Sequence, residues 1–172
     1  MSRLRLFAIA LLALGLACSP SKPALANILI QIDKSSQTMT VSVDGEPRYR
    51  WRVSTGATGF STPAGAYTPF RMEVMHYSQE WDNAGMPHAI FFTTRGHSIH
   101  GSDHPGLGTP VSHGCVRLSL PNATTLYQLV SAAGMGNTKV VVRGPDPPGV
   151  YAPSQSPQKR NPVFPFGGIF RF

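Results

Sequence analysis

The sequence predicts a mainly β domain, sandwich-like, with a single helix late in the chain. Short apolar runs with period-two alternation recur along it. Gly, Pro and Asp-Gly signals separate these runs into segments of strand length. Only one stretch, beyond residue 119, spaces its apolar residues as a helix does.

Taken in order, Ile28-Leu29-Ile30-Gln31-Ile32 reads as a first strand and residues 33–36 as a polar turn. Residues 39–43 alternate apolar and polar side chains. Asp44-Gly45 is a tight-turn dipeptide joining them to residues 48–54, so a hairpin is expected there. Gly56, Gly59, Pro63 and Gly65 divide the following stretch into turns ahead of a strand at residues 67–72. Further strands are expected at residues 89–93 and 139–142. Leu126, Leu129, Val130 and Ala133 define the helix, with Ser119 as cap, Pro121 in the first turn and Gly134 as the stop.

Residues 1–26 have the layout of an export signal. Arg3 and Arg5 precede an uncharged run over residues 6–17, too short to span a bilayer, and Ala24-Leu25-Ala26 stands ahead of Asn27. Cleavage after Ala26, and a place in the periplasm or cell envelope, are expected. Leu14-Gly15-Leu16-Ala17-Cys18 loosely resembles a lipid-attachment box. Gly15 stands where such boxes usually carry a branched aliphatic residue, so lipid anchoring through Cys18 is the lesser alternative. Residues 27–143 suffice for one domain with its own core. From Gly144 the chain is rich in Pro, Ser and Gln, and residues 144–172 are expected to form a disordered tail.

The formal charge of the full chain is +7. The export segment holds Arg3, Arg5 and Lys22 and no acidic residue, which leaves +4 downstream. A mildly basic exported protein suits an anionic envelope polymer. Nucleic acid is not an expected partner, because no dense Lys/Arg run with interleaved aromatics occurs. Arg48, Arg50 and Arg52 alternate with Tyr49, Trp51 and Val53, which reads more simply as a solvated strand face.

With Cys18 in the export segment, Cys115 is the one cysteine of the mature chain. Exported proteins normally pair their thiols, so a solitary one needs another explanation. It sits in Ser112-His113-Gly114-Cys115-Val116-Arg117-Leu118, fifteen residues after His100 of Ile99-His100-Gly101. The thiolate is the nucleophilic form, and an imidazole can take the thiol proton and return one to a leaving amine. Either His100 or His113 has the chemistry of that base. Gly101 and Gly114 permit close backbone approach, and peptide N–H groups around Cys115 can receive an oxyanion. Acyl transfer through a thioester fits these groups, although redox sensing also uses a lone thiol. A metal site built from His97, His100, His104, His113 and Cys115 is the rival, but H-x2-H-x3-H and H-x-C match no common zinc spacing. No metal and no cofactor are expected. His97 and His104 read as loop residues near the pocket, and His76 and His88 as surface or core residues that can also line a groove.

The paired His-Gly and Ser-His-Gly-Cys-x-Arg patterns resemble the L,D-transpeptidase catalytic domain of the YkuD type. Supporting matches are Ser61-Thr62-Pro63-Ala64-Gly65 and Met86-Pro87 leading into Ile90-Phe91-Phe92, and the resemblance covers residues 27–143. It implies Cys115 as the acylated nucleophile and His100 as the base, with its ring oriented by backbone near Gly101. It also implies His113, Gly114 and the Cys115 amide around the oxyanion, Ser112 supporting the loop and Arg117 orienting substrate. The implied donor is a peptidoglycan stem tetrapeptide, cleaved after the L-centre of diaminopimelate with release of D-alanine. The acceptor is an amine on a neighbouring stem, giving a 3→3 cross-link, or a lipoprotein or free amino acid. A monomer is expected. Two other readings stay open: an L,D-carboxypeptidase or hydrolase on the same substrate, and a non-catalytic wall-binding protein on the same fold.

Overall fold

A computed structural model of the chain describes residues 25–146. Residues 1–24, with Cys18 and most of the expected export signal, and residues 147–172 of the expected tail lie outside the described residues. The elements run β1 (Ile28–Asp33), β2 (Thr38–Val43), β3 (Glu46–Arg52), β4 (Gly65–Tyr67), β5 (Arg71–Ser78), β6 (Ala84–Phe91), β7 (Ser98–Gly101), β8 (Val116–Leu118), α1 (Leu120–Ala133) and β9 (Thr138–Arg143). Two sheets result, ordered β3-β2-β1-β9-β4 and β5-β6-β7-β8. The mainly β, two-sheet architecture expected from the sequence is present, with its one helix directly after the cysteine motif.

Local chemistry explains the first sheet. Ile28, Ile30 and Ile32 on β1, Met39 and Val41 on β2, and Val140 and Val142 on β9 alternate into the core. Asp44 and Gly45 both take positive φ, 53° and 87°, as a type I′ turn between right-twisting strands requires. β1 pairs antiparallel with β2 and parallel with β9, so the described domain begins and ends on neighbouring strands.

The single strand expected at residues 67–72 is instead split. β4 ends at Tyr67 in the first sheet and β5 begins at Arg71 in the second. Pro69, lacking an N–H and fixed in φ, interrupts any ladder between them. β5 and β6 then form a long hairpin with seven paired positions, from Arg71↔Phe91 to Ser78↔Ala84.

The main core lies between the sheets and is closed by α1, whose Ala123, Leu126, Val130 and Ala133 are buried. The Gly134 N–H caps the helix on the Val130 carbonyl at 2.8 Å. Ser119 occupies the N-cap position without a side-chain cap bond. Ile90, Ile99, Val116 and Leu118 face this core from the second sheet. Its opposite face carries a smaller apolar cluster of Met86, Ala89 and Phe91, against which Cys115 packs. Among the described residues no helix is long and apolar enough to cross a membrane.

Candidate active site

Strand register builds the site. β7 and β8 are parallel, with Ile99 opposite Val116, His100 opposite Arg117 and Gly101 opposite Leu118. Ile99, Val116 and Leu118 point into the core, so alternation sends Ser98, His100, Cys115 and Arg117 to the other face. Cys115, His100 and Arg117 accordingly line one open groove of about 890 Å³, together with His76, His97 and His113. His100 and Cys115 are diagonal neighbours across the two strands, on the same face of the sheet.

His100 is buried, and its Nδ1 lies 2.8 Å from the Gly101 carbonyl oxygen. A carbonyl only accepts, so Nδ1 carries the proton and Nε2 keeps the lone pair. Burial pushes the imidazole pKa down to about 4, against the opposing pull of that hydrogen bond, and Arg117 and His76 add to the depression. At neutral pH the ring is an uncharged base. Three polar groups meet the Cys115 sulfur: the Ser98 backbone N–H, the Ser98 hydroxyl, which donates at 3.7 Å, and the Gly96 carbonyl, which the S–H reaches at 3.9 Å. Burial raises the thiol pKa, while Ser98 and the Arg117 charge oppose the rise. The resting pair is thus thiol and neutral imidazole, not an ion pair.

The loop before Cys115 is held from two sides. Ser112 Oγ accepts from the Gly114 N–H at 3.1 Å and donates to the Cys115 carbonyl. Thr62, fully buried, takes the Gly56 N–H at 2.9 Å and donates to the Gly114 carbonyl at 2.9 Å. Gly114 has φ 107°, a conformation that favours glycine, and a Cβ there would press on the His97 ring at 3.1 Å. Its amide is engaged by Ser112, which leaves the N–H groups of His113 and Cys115 without an acceptor among the described residues. The segment after β3 extends the β8 edge through paired Ser54–Arg117 bonds of 3.1 and 2.9 Å and the Ala57 N–H to the Ser112 carbonyl at 2.7 Å.

His113 is exposed and does not point into the sheet face. Its ring stacks on Trp81 at 3.8 Å and 15°, with Phe60 edge-on at 4.7 Å. Trp81 sits at the tip of the β5–β6 hairpin, so this stack ties the hairpin to the loop before Cys115. Arg117 is half-buried beside the groove and donates to the Val111 carbonyl at 3.4 Å. His97 bonds Thr93 Oγ1 at 2.7 Å, His76 pairs with Glu73 at 2.9 Å, and His104 accepts the Gly106 N–H. His88 lies on the helix side against Tyr127, away from the groove. Among the described residues no three His, Cys, Asp or Glu side chains gather as a metal would require. Sequence reasoning missed Ser98, Thr62 and the Phe60–Trp81–His113 stack. Thr62 lay inside a quoted motif without a role; Ser98 and Trp81 gave no local signal.

A groove holding a thiol, a neutral imidazole and a guanidinium on one sheet face defines a protein equipped for nucleophilic thiol chemistry. The model of the YkuD-type L,D-transpeptidase catalytic domain matches residues 27–142, and the chain belongs to that family. Among solved structures it is similar to an L,D-transpeptidase from Mycobacterium smegmatis, at 29% identity and TM-score 0.62, with 69% of this chain and 59% of that one covered. An L,D-transpeptidase from Mycobacterium tuberculosis H37Rv matches at 26% identity and TM-score 0.62, over 69% and 58% of the two chains. One from Stackebrandtia nassauensis matches at 28% and TM-score 0.63, over 72% and 58%. This chain therefore spans less than two thirds of the length of those relatives. No curated protein matches it.

Proposed function

We propose that the protein is an exported cysteine L,D-transpeptidase that acts on peptidoglycan stem peptides through a thioester at Cys115. The observation that carries this reading is the shared sheet face of Cys115, His100 and Arg117, set by the β7–β8 register. In this account His100 Nε2 takes the Cys115 proton as sulfur attacks the carbonyl at the L-centre of diaminopimelate. The N–H groups of His113 and Cys115 receive the oxyanion. The imidazolium returns its proton to the departing D-alanine amine, and Arg117 holds a donor carboxylate. An acceptor amine, deprotonated by the same ring, then attacks the thioester and restores the thiol, leaving a 3→3 cross-link or a wall-attached protein or amino acid.

Incubation of the protein with purified sacculi, followed by muropeptide analysis, tests the assignment. New 3→3 dimers that vanish in Cys115→Ala are the expected result. Tetrapeptide trimmed to tripeptide without dimers would replace it with an L,D-carboxypeptidase. Sacculus binding retained by Cys115→Ala, with no turnover by the wild type, would leave a wall-binding protein.

A further inference from the structure

We propose that Ser98 is a further catalytic residue, whose hydroxyl donates a hydrogen bond to the Cys115 sulfur and holds the thiolate as it forms. The inference rests on the thiol chemistry proposed above. Three independent observations meet at this residue. One step back from the Ile99↔Val116 pair, Ser98 lies directly across from Cys115 and on the same face. Its Oγ is 3.7 Å from Sγ, and among the described residues the sulfur is the acceptor found for it. Ser98 is fully buried, paired with Phe91 on its other side, where a hydroxyl without a partner is costly.

The Ser98 hydroxyl and the Gly96 carbonyl respond oppositely to proton loss, while the Ser98 backbone N–H is a second donor that substitution at 98 leaves in place. The Gly96 carbonyl accepts from S–H and therefore favours the thiol. Once the proton has moved from Sγ to His100 Nε2, that carbonyl oxygen faces a negative sulfur and repels it. The Ser98 hydroxyl donates in both states, and its bond strengthens when the acceptor is charged. Ser98 keeps its own proton throughout, so it is neither acid nor base. The other charged or titratable groups that line the groove with the sulfur are Arg71, His76, Glu80, Asp82, Arg95, His97, His100, Asp103, His104, His113 and Arg117. All of them are unchanged by substitution at 98. Serine at this position has no role in the main core, which Ile99 fills from the opposite face.

The test is the pH dependence of Cys115 alkylation by iodoacetamide, read on the Cys115 peptide by mass spectrometry, in wild type, Ser98→Ala and Ser98→Thr. Ser98→Ala should move the alkylation midpoint upward by about one pH unit, slowing the reaction about tenfold at pH 8, with the high-pH plateau unchanged. It should also lower kcat with little change in KM, and Ser98→Thr should recover part of both. An unmoved alkylation profile in a Ser98→Ala protein that melts like wild type would overturn the proposal. A moved profile with wild-type kcat would also overturn the catalytic role. The alkylation arm needs no turnover, so it stands even where the transpeptidase assay fails.

Discussion

His100 derives its character from burial: an imidazole at about pKa 4 remains an uncharged base at pH values where a solvated histidine is largely protonated. Two outcomes follow at this scale. The acid limb of kcat/KM should fall near pH 4, well below 6.5, and a limb near 6.5 would show that the ring titrates freely. The folded pKa is depressed below the unfolded one, so its stabilising contribution is complete above pH 6.5 and is lost as pH falls from 6.5 through 4. Thermal midpoints should decline across that window, and His100→Gln should flatten this part of the decline. The same variant should reduce kcat about 10²–10⁴-fold, the usual worth of a positioned base. Cys115, His100 and Arg117 were legible in the sequence because their neighbours form a specific pattern. Ser98 was not, because a serine two residues before a histidine looks like any strand residue until β8 is laid beside it.

The elements divide by how much of their cause is local. The β2–β3 hairpin and α1 were legible from Asp44-Gly45 and from Leu126, Val130 and Ala133, where turn chemistry and periodicity act within a few residues. β7 and β8 are four and three residues long and exist through their parallel pairing, which no local pattern announces. The split between β4 and β5 depends on which sheet each half joins, a matter of tertiary context. The β5–β6 hairpin matters most for function, since Trp81 at its tip stacks on His113. An aromatic contact of this kind contributes about 0.5–1.5 kcal/mol. Trp81→Ala should therefore raise KM or slow acylation two- to tenfold while moving the melting temperature little. Equal kinetics in that variant would detach the hairpin from the site. Core packing gives a separate check at this scale: Leu126→Ala, at a fully buried position, should destabilise by about 2–5 kcal/mol in denaturant melts.

At the level of the whole molecule, the second sheet serves two environments at once, the core on one face and the groove on the other. The segment after β3 joins the first sheet to the edge of the second, next to the loop before Cys115. The start of the Pro-rich region also belongs to this frame. Asp146 pairs with the buried Lys34 ammonium at 2.7 Å and accepts from Ser61 Oγ at 2.6 Å. Removing one partner of a buried pair leaves a charge without compensation. Asp146→Ala should cost about 3 kcal/mol by chemical denaturation, and an unchanged midpoint would show that Lys34 relaxes into solvent. A carbapenem offers a strained lactam carbonyl that a nucleophilic sulfur opens and keeps as a thioester, so intact mass after exposure to one tests Cys115 as the acylated nucleophile most directly. One covalent adduct is expected on the wild type and on Trp81→Ala, and none on Cys115→Ala. No mass gain on the wild type, or an equal gain on Cys115→Ala, would contradict it.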